Sequence, residues 1–259
     1  MIDELLGIKD KVALVVGSAS GYGRQSALTL AKYGVKVALA DRDEKGVLET
    51  KSLIPTGSTA ELFVTDISSV ENCIKLVDDV HSKFGRLDIV VHTAAVLQSR
   101  LPDEVDEEHW NNTININLRS QFFISRSAIK YMRANKWGRI VNFVSTAGLS
   151  GGLPASIVYG ISKSGALAMT KSLARQNGRD GILINALSPA TLDTPLFRRG
   201  MLEQDLEELK IKHLEINTFG RWIEPQEVAN SVLFLCSEMS SAITGHVLLA
   251  DAGAGLSGF

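Results

Sequence analysis

The chain has 259 residues, of which 45% are apolar and 22% charged, as in a globular protein rather than a disordered one. Its 27 basic and 29 acidic residues leave a formal net charge of −2, which argues against a nucleic-acid-binding module with a basic face. Cys73 and Cys236 stand far apart without the spacing of a metal site. We therefore expect two small core residues, no disulfide framework and no metal centre.

No segment of the chain has the pattern of a targeting or membrane-spanning sequence. The N-terminal residues lack a long apolar run, and no stretch approaches the roughly 20 apolar residues that cross a bilayer. We expect a cytoplasmic protein with neither a membrane nor a nucleic-acid partner. Because no repeat or linker interrupts the chain, we predict one continuous domain over residues 1–259.

Short apolar runs alternate with longer amphipathic stretches. The runs predict seven strands, at Val12–Val16, Val35–Ala40, Leu62–Val64, Ile89–Val91, Ile140–Val144, Ile182–Leu187 and His246–Ala250. The stretches between them predict helices at Gly21–Tyr33, Val70–Phe84, His109–Asn135, Ser156–Gln176 and Gln226–Cys236. This alternation indicates right-handed crossovers between parallel strands, and strands that are apolar on both faces indicate helices on both sides. The predicted fold class is α/β, a doubly wound parallel sheet.

The segment Thr191–Trp222 breaks this alternation, because it has helical pieces and no strand. Ligands of open α/β sheets bind at the carboxyl ends of the strands, where this insertion begins. We interpret it as a substrate lid; the alternative is a pair of helices that serves packing or subunit contact.

A glycine-rich turn follows the first strand, with the sequence Gly17-Ser18-Ala19-Ser20-Gly21-Tyr22-Gly23, and leads into a helix. In this context the backbone N–H groups and the helix N-terminus suit a pyrophosphate. Asp41, at the end of the next strand, lies where a carboxylate can bond the adenosine ribose and repel a 2′-phosphate, which favours NAD over NADP. Arg42 beside it is suited to hold that phosphate and leaves NADP open. Asp66 and Ile67, after the third strand, suit an adenine ring; the alternative is a capping Asp and a core Ile.

Tyr159 and Lys163 are spaced i,i+4 in a predicted helix, so they share a face. A neighbouring cation favours the phenolate and lowers the pKa of a tyrosine, which makes it an acid or base near neutral pH. Ser145 follows the strand Ile140–Val144, at the edge where a ligand binds, and its hydroxyl can donate to a developing alkoxide.

These residues, together with Asn117-Leu118, Ser188-Pro189, Thr194, Thr244-Gly245 and Asp251, resemble the short-chain dehydrogenase/reductase family along nearly the whole chain. The resemblance implies a Rossmann fold and an NAD-dependent oxidoreductase acting on a secondary alcohol or ketone. Tyr159 would be the general acid/base, Ser145 would polarise the same substrate oxygen, Lys163 would lower the Tyr159 pKa and bind the nicotinamide ribose, and Asn117 would position a water. The cofactor contacts that it implies are Gly17, Ser20, Gly21, Tyr22, Gly23, Asp41, Arg42, Asp66, Ile67, Thr93, Ala94, Ala95, Tyr159, Lys163, Pro189 and Thr194.

Three segments depart from the family pattern. The usual Asn-Asn-Ala-Gly is His92-Thr93-Ala94-Ala95, Pro-Gly is Pro189-Ala190, and Asp-Gly-Gly is Asp251-Ala252-Gly253. An alanine in place of glycine is tolerated only where φ is negative, so these changes either weaken the nucleotide site or reshape it. We interpret His92 as a hydrogen-bonded core histidine rather than a catalytic group.

The resemblance also implies an apolar substrate pocket and an assembly. The pocket residues are Leu97, Leu149, Leu153, Leu192 and Phe197, with Leu196 and Met201 nearby, which suits an apolar or cyclic carbonyl compound. Arg100, Arg198 and Arg199 either hold an acidic group of the substrate or are solvated. The implied assembly is a homotetramer with His109–Asn135 and Ser156–Gln176 between subunits, although a monomer would also bury such amphipathic helices.

Two other functions compete with the dehydrogenase. The altered segments suggest a non-catalytic, dehydrogenase-like subunit that stabilises an active partner, but the complete set of Ser145, Tyr159 and Lys163 argues against it. An S-adenosylmethionine methyltransferase also has a glycine-rich loop and an acidic second strand, but it gives Tyr159 and Lys163 no role.

Overall fold

A computed structural model of the chain describes residues 2–151, 155–189 and 217–256, with isolated positions at 196, 207, 208, 211, 214 and 215. Seven strands in these ranges form one parallel sheet. They are β1 (Val12–Val16), β2 (Lys36–Asp41), β3 (Ala60–Val64), β4 (Ile89–His92), β5 (Gly138–Phe143), β6 (Ile182–Pro189) and β7 (Val247–Ala250). The predicted doubly wound parallel sheet is confirmed, and each predicted strand boundary lies within two residues of the observed one.

The described helices lie between the strands or before the first of them. They are α1 (Ile2–Leu6), α2 (Gly21–Lys32), α3 (Glu44–Ser52), α4 (Val70–Phe84), α5 (Glu107–Ile114), α6 (Ser120–Asn135), α7 (Ala147–Ser150), α8 (Ile157–Asn177) and α9 (Pro225–Cys236). The single helix predicted at His109–Asn135 is wrong in detail: it begins at Glu107, and a π-helical turn at Asn115–Arg119 divides it into α5 and α6.

The strand order is β3-β2-β1-β4-β5-β6-β7, so the order reverses between β1 and β4. From β1 to β3 each new strand is added on the β3 side of the sheet, and from β4 to β7 each new strand is added on the β7 side. The carboxyl ends of β1 and β4 therefore open into a crevice, which is where open α/β sheets bind their ligands.

Two apolar clusters cover the two faces of the sheet. One joins α2 and α9 to the sheet through residues such as Leu30 and Val232, and the other joins α4, α6 and α8 through residues such as Val77, Ile124 and Leu173. Because both faces are covered, β1 is buried along its whole length, as its continuous apolar sequence predicts. Cys73 and Cys236 are free thiols in these two clusters, which confirms their interpretation as core residues.

Helix α3 was not among the predicted helices. It buries only Gly46, Val47 and Thr50, so its apolar pattern is weak, and it begins where the carboxylate of Asp43 accepts a hydrogen bond from Gly46 N (3.1 Å). In the described ranges, no helix combines the length and apolarity needed to cross a membrane.

Candidate active site

The glycine-rich turn lies at the reversal of strand order and packs against the end of β4. Gly17 has a φ of +92°, and a Cβ there would lie 2.6 Å from Ala94 N, so the turn requires glycine at this position. Thr93 Oγ1 donates to Val16 O at 2.8 Å and fixes the same junction. The cap residue of α2, Ser20, makes no side-chain bond to the helix, so its side chain caps none of the first N–H groups.

Asp41 lies at the end of β2 with its carboxylate held in place. Its Oδ2 accepts from Ala19 N and its Oδ1 from Asp43 N, both at 3.1 Å. Arg42 is exposed. Asp66 is exposed and Ile67 is buried, and both line the same cavity as Asp41.

Asn117 lies in the π-helical turn between α5 and α6, and its side chain is fully buried. Its Oδ1 accepts from Val96 N (2.8 Å), and its Nδ2 donates to Val96 O (2.9 Å) and to Ser162 Oγ (3.1 Å). Asn117 therefore ties the segment after β4 to the turn of α8 that carries Tyr159. π-Helical turns inside α-helices occur frequently at functional sites.

Tyr159 and Lys163 lie on α8 and face Ser145 in the loop after β5. The hydroxyl of Ser145 is hydrogen-bonded to the Tyr159 phenol, which lowers the phenol pKa, but burial dominates and raises it to about 12. Lys163 Nζ lies 5.5 Å from the centroid of the Tyr159 ring and donates to Phe143 O at 2.9 Å. Lys163 is 2% exposed, and burial lowers its pKa to about 8.

The pKa of Tyr159 differs from the expected direction in the protein without cofactor. The sequence argument has Lys163 and the positive charge of an oxidised nicotinamide lower it together, whereas without the nicotinamide it is raised. The physical reason is that burial opposes the phenolate, and the described hydrogen bond of the ammonium goes to a backbone carbonyl instead.

One cavity of about 760 Å³ brings these residues together. Its wall includes these predicted residues: Gly17, Ser20, Gly21, Tyr22, Gly23, Asp41, Arg42, Asp66, Ile67, Thr93, Ala94, Ala95, Leu97, Ser145, Tyr159, Lys163 and Pro189. Asn117, which is fully buried, and Leu149, which is half exposed on α7, do not line the cavity. Thr194, Leu153, Leu192 and Phe197 lie outside the described residues, as do Ala190, Met201, Arg198, Arg199 and most of the predicted lid.

Two of the departures from the family pattern, Ala95 and Ala252, differ in backbone conformation and in position. Ala95 lines the cavity, but its φ is not in the left-handed region, so its methyl group is tolerated. Ala252 does have a positive φ, +54°, yet it packs in the core cluster of α2 and α9 and not in the cavity wall. An effect of Ala252 on the nucleotide site would therefore have to be indirect.

His92 is buried at the end of β4, and its Nε2 lies 3.2 Å from Ser125 Oγ. Burial, with a smaller effect of the Lys163 charge, lowers its pKa to about 3. Its interpretation as a hydrogen-bonded core histidine is confirmed.

The sequence argument missed several residues of the site. Phe143 contributes a backbone carbonyl, which no side-chain pattern reveals. Ser162 lies within the Tyr159–Lys163 interval, and its contact with Asn117 depends on the packing of two helices. Gln98 and Thr146 were not missed: they line the cavity and lie within Val96–Arg100 and Thr146–Ile157, two segments that the family resemblance implies for substrate contact.

Comparisons with known proteins identify the family. The family model described as enoyl-(acyl carrier protein) reductase matches residues 17–255. A dehydrogenase subunit of Thauera aromatica, named for (2S)-[(R)-hydroxy(phenyl)methyl]succinyl-CoA, is 34% identical over 97% of this chain and 99% of its own. This chain is a short-chain dehydrogenase/reductase.

Two further similarities bear on the chemistry of this short-chain dehydrogenase/reductase. An NAD-dependent glycerol dehydrogenase of Listeria innocua is 33% identical over 97% of this chain and 96% of its own. The crystal structure of levodione reductase superimposes with a TM-score of 0.91 at 28% identity and covers 97% of this chain and 100% of its own. The family is one of oxidoreductases that use a nicotinamide cofactor.

Proposed function

We propose that this short-chain dehydrogenase/reductase is an NAD(H)-dependent enzyme that interconverts a secondary alcohol and a ketone with an apolar or cyclic body. One observation carries the proposal. The hydrogen-bonded pair of Ser145 and Tyr159 lies, with Lys163, in the same cavity as the glycine-rich turn and Asp41. The buried free thiols accord with a reducing compartment, and we place the reaction in the cytoplasm.

The cavity fits a dinucleotide. The close approach of Gly17 to Ala94 leaves no room for a side chain at position 17, and the wall of the cavity includes both Asp66 and Tyr159. The turn and the first N–H groups of α2 would hold the pyrophosphate, and Lys163 the nicotinamide ribose. When bound, the nicotinamide exchanges a hydride with the carbinol carbon of the substrate.

The protein supplies the proton chemistry. In ketone reduction Tyr159 donates its phenolic proton to the substrate oxygen, while the Ser145 hydroxyl donates a hydrogen bond to that oxygen. With a pKa of about 12, Tyr159 is protonated at neutral pH and suited to act as the acid. Alcohol oxidation requires the phenolate, which the Lys163 ammonium and the positive charge of an oxidised nicotinamide would both favour. Asn117 would support a water in the path of the proton.

Asp41 supports NAD as the cofactor. Two backbone N–H groups hold its carboxylate at the cavity wall, where it would bond the ribose hydroxyls and repel a 2′-phosphate. Arg42 is exposed, and the glycerol dehydrogenase relative is named as NAD-dependent.

Apolar side chains contribute to the cavity wall. Val96, Leu97 and Leu196 line the same cavity as Ser145 and Tyr159, which suits an apolar or cyclic group. Arg100 Nη1 donates to Asp106 Oδ2 (2.9 Å) and Glu104 O (3.1 Å), so this nitrogen already has partners within the protein. The phenyl-bearing substrate named for the Thauera relative is consistent with this choice.

Replacing Tyr159 with Phe tests the proposal. With NADH and a panel of cyclic and aryl ketones, Tyr159→Phe should lower kcat by about 100-fold or more, because the ring stays and only the acid is lost. Its Kd for NADH should stay within about twofold of the wild type. Tyr33→Phe, which removes a phenol outside the cavity wall, is the control and should keep full turnover.

The proposal fails if Tyr159→Phe turns over as fast as the wild type. A different result would support the alternative function, a non-catalytic subunit that stabilises an active partner. In that case the wild type binds NADH, reduces no ketone, and copurifies with a second subunit that is needed for activity.

A further inference from the structure

Five buried polar side chains form a cluster on the sheet face that α6 and α8 cover. We call it the sub-catalytic cluster; its members are His92, Gln121, Ser125, Asn142 and Thr170. Each is at most 1% exposed. His92 and Asn142 are partners in the register of β4 and β5, so their side chains lie next to each other on one face.

Hydrogen bonds join the cluster to both helices. His92 Nε2 is 3.2 Å from Ser125 Oγ on α6, and Asn142 Nδ2 donates to Thr170 Oγ1 on α8 at 2.9 Å. Gln121 lies one helical turn before Ser125, on the same face of α6. The cluster therefore extends from α6, across two strands, to α8.

Several polar atoms of this cluster have no partner among the described residues. They are both amide atoms of Gln121 and Oδ1 of Asn142. A buried polar atom without a partner is strongly unfavourable, and polar sites of this kind commonly hold ordered water. The cluster is thus suited to hold water between the sheet and α8, the helix that carries Tyr159 and Lys163.

The cluster adjoins Lys163. Asn142 directly precedes Phe143, whose carbonyl accepts the hydrogen bond of Lys163 Nζ. An ammonium group has three donors, and in the described part of the chain this carbonyl accepts from one of them. The positive charge of Lys163 adds to burial in lowering the pKa of His92, so the imidazole is neutral near pH 7.

We propose that His92 is a positioning residue for Lys163: its neutral imidazole, together with water held by the sub-catalytic cluster, solvates the ammonium and keeps it charged. This role rests on the proposed function, since it concerns the group that assists Tyr159. A neutral imidazole offers an acceptor to the ammonium, directly or through water, which an aliphatic side chain does not.

The other ionisable groups around Lys163 are few. Tyr159 lies on its own helix, and Tyr22 lies in the first turn of α2, where burial and Tyr159 raise its pKa. Both phenols are neutral in the protein without cofactor, and no described carboxylate shifts the pKa of His92 or Lys163. The solvation of the ammonium therefore depends on neutral dipoles.

Two variants of His92 test this role through the pH dependence of kcat. His92→Leu removes the acceptor, and His92→Asn restores the residue that the family usually has there. Less solvation lowers the pKa of Lys163, so the ammonium is lost at a lower pH. In alcohol oxidation, His92→Leu should move the alkaline fall of kcat down by about one pH unit and lower kcat about fivefold at pH 8. His92→Asn should stay within about threefold of the wild type with an unshifted profile.

A second measurement does not need turnover. The difference in unfolding free energy between wild type and Lys163→Met, measured by urea denaturation from pH 6 to 11, reports the pKa of Lys163 in the folded protein. When this difference is plotted against pH, its inflection should lie at about pH 8 in the wild-type background and at about pH 7 in the His92→Leu background. If His92→Leu does not fold, Ser125→Ala removes the partner of Nε2 and should move the inflection in the same direction by less.

The proposal is overturned if His92→Leu leaves both the kcat profile and the unfolding inflection where they are in the wild type. It is also overturned if Leu and Asn lower kcat equally without a shift, because that result indicates packing alone. A wild type without turnover would refute the proposed function, while the unfolding inflection would still decide the role of His92.

Discussion

Lys163 is a buried charge with one described hydrogen bond, to a backbone carbonyl. The difference between its pKa of about 8 and the ordinary 10.5 corresponds to a cost of about 3 kcal/mol at neutral pH. The site therefore keeps a charge that destabilises the fold, as active sites often do.

Replacing Lys163 with Met should stabilise the protein. At pH 7 we expect the free energy of unfolding to rise by about 1–3 kcal/mol, because the charge is removed while the volume is kept. The folded lysine loses its proton near pH 8 and the unfolded one near pH 10.5, so wild-type stability rises across this window and the advantage of Lys163→Met shrinks. Urea denaturation at pH 7 and pH 10.5 measures both effects.

The control for this prediction is Lys171→Met, an exposed position on the same helix, which should change the stability little at either pH. Equal stability of Lys163→Met and the wild type at both pH values would show that burying Lys163 has no cost.

Some properties of the catalytic residues can be predicted from the sequence, and others cannot. The spacing of Tyr159 and Lys163, with Ser145 at a strand end, was enough to place all three in one cavity. It could not give the direction of the Tyr159 pKa shift, which depends on how deeply the fold buries the phenol. Nor could it reveal the carbonyl of Phe143, because every residue has one.

At the scale of elements, the strands were the most predictable part. Each buried strand is a short apolar run bounded by polar or turn residues, and that pattern depends little on the rest of the fold. The π-helical turn at Asn115–Arg119 could not be predicted, because the amphipathic pattern continues through it. Its register depends on the contacts of Asn117 with Val96 and Ser162, which are distant in sequence.

Two alanines after strands β4 and β7 give a matched pair for a prediction. Ala252 has a φ of +54°, whereas the φ of Ala95 is not in the left-handed region. Ala252→Gly should leave the stability unchanged or raise it by up to about 1 kcal/mol, because it relieves left-handed strain that offsets its entropy cost. Ala95→Gly should lower it by about 0.5–1 kcal/mol, since it only frees the unfolded chain.

Urea denaturation, with NADH affinity measured in parallel, checks this pair. Ala252→Gly should leave the Kd for NADH unchanged, since Ala252 does not line the cavity. A clear gain in NADH affinity from Ala252→Gly would contradict our placement of this residue outside the nucleotide site.

At the scale of the whole molecule, we propose that the protein is a homotetramer. Trp110 on α5, Phe122 on α6 and Ile157 and Ile161 on α8 are large apolar side chains that are about 40% exposed in the single chain. These are the helices expected between subunits, and exposed apolar groups of this kind mark interaction surfaces.

Sedimentation velocity tests the assembly at micromolar concentration. The wild type should sediment as a tetramer, and the double variant Phe122→Glu, Ile161→Glu should sediment as a smaller species, because two carboxylates would be buried without partners. Leu48→Glu on α3, at a comparably exposed apolar position, is the control and should remain tetrameric. A monomeric wild type would contradict the proposed assembly.

The most direct test of the proposed function is a calorimetric titration of the purified protein with NADH and, in parallel, with NADPH. We expect NADH to bind at least about tenfold more tightly than NADPH, a difference of about 1.4 kcal/mol that the Asp41 carboxylate provides. Asp41→Ser should remove this difference in affinity. The control is Asp43→Asn, which should keep the difference, because the Asp43 carboxylate caps α3. Tighter binding of NADPH would contradict the role of Asp41, and binding of neither nucleotide would contradict the enzyme that we propose.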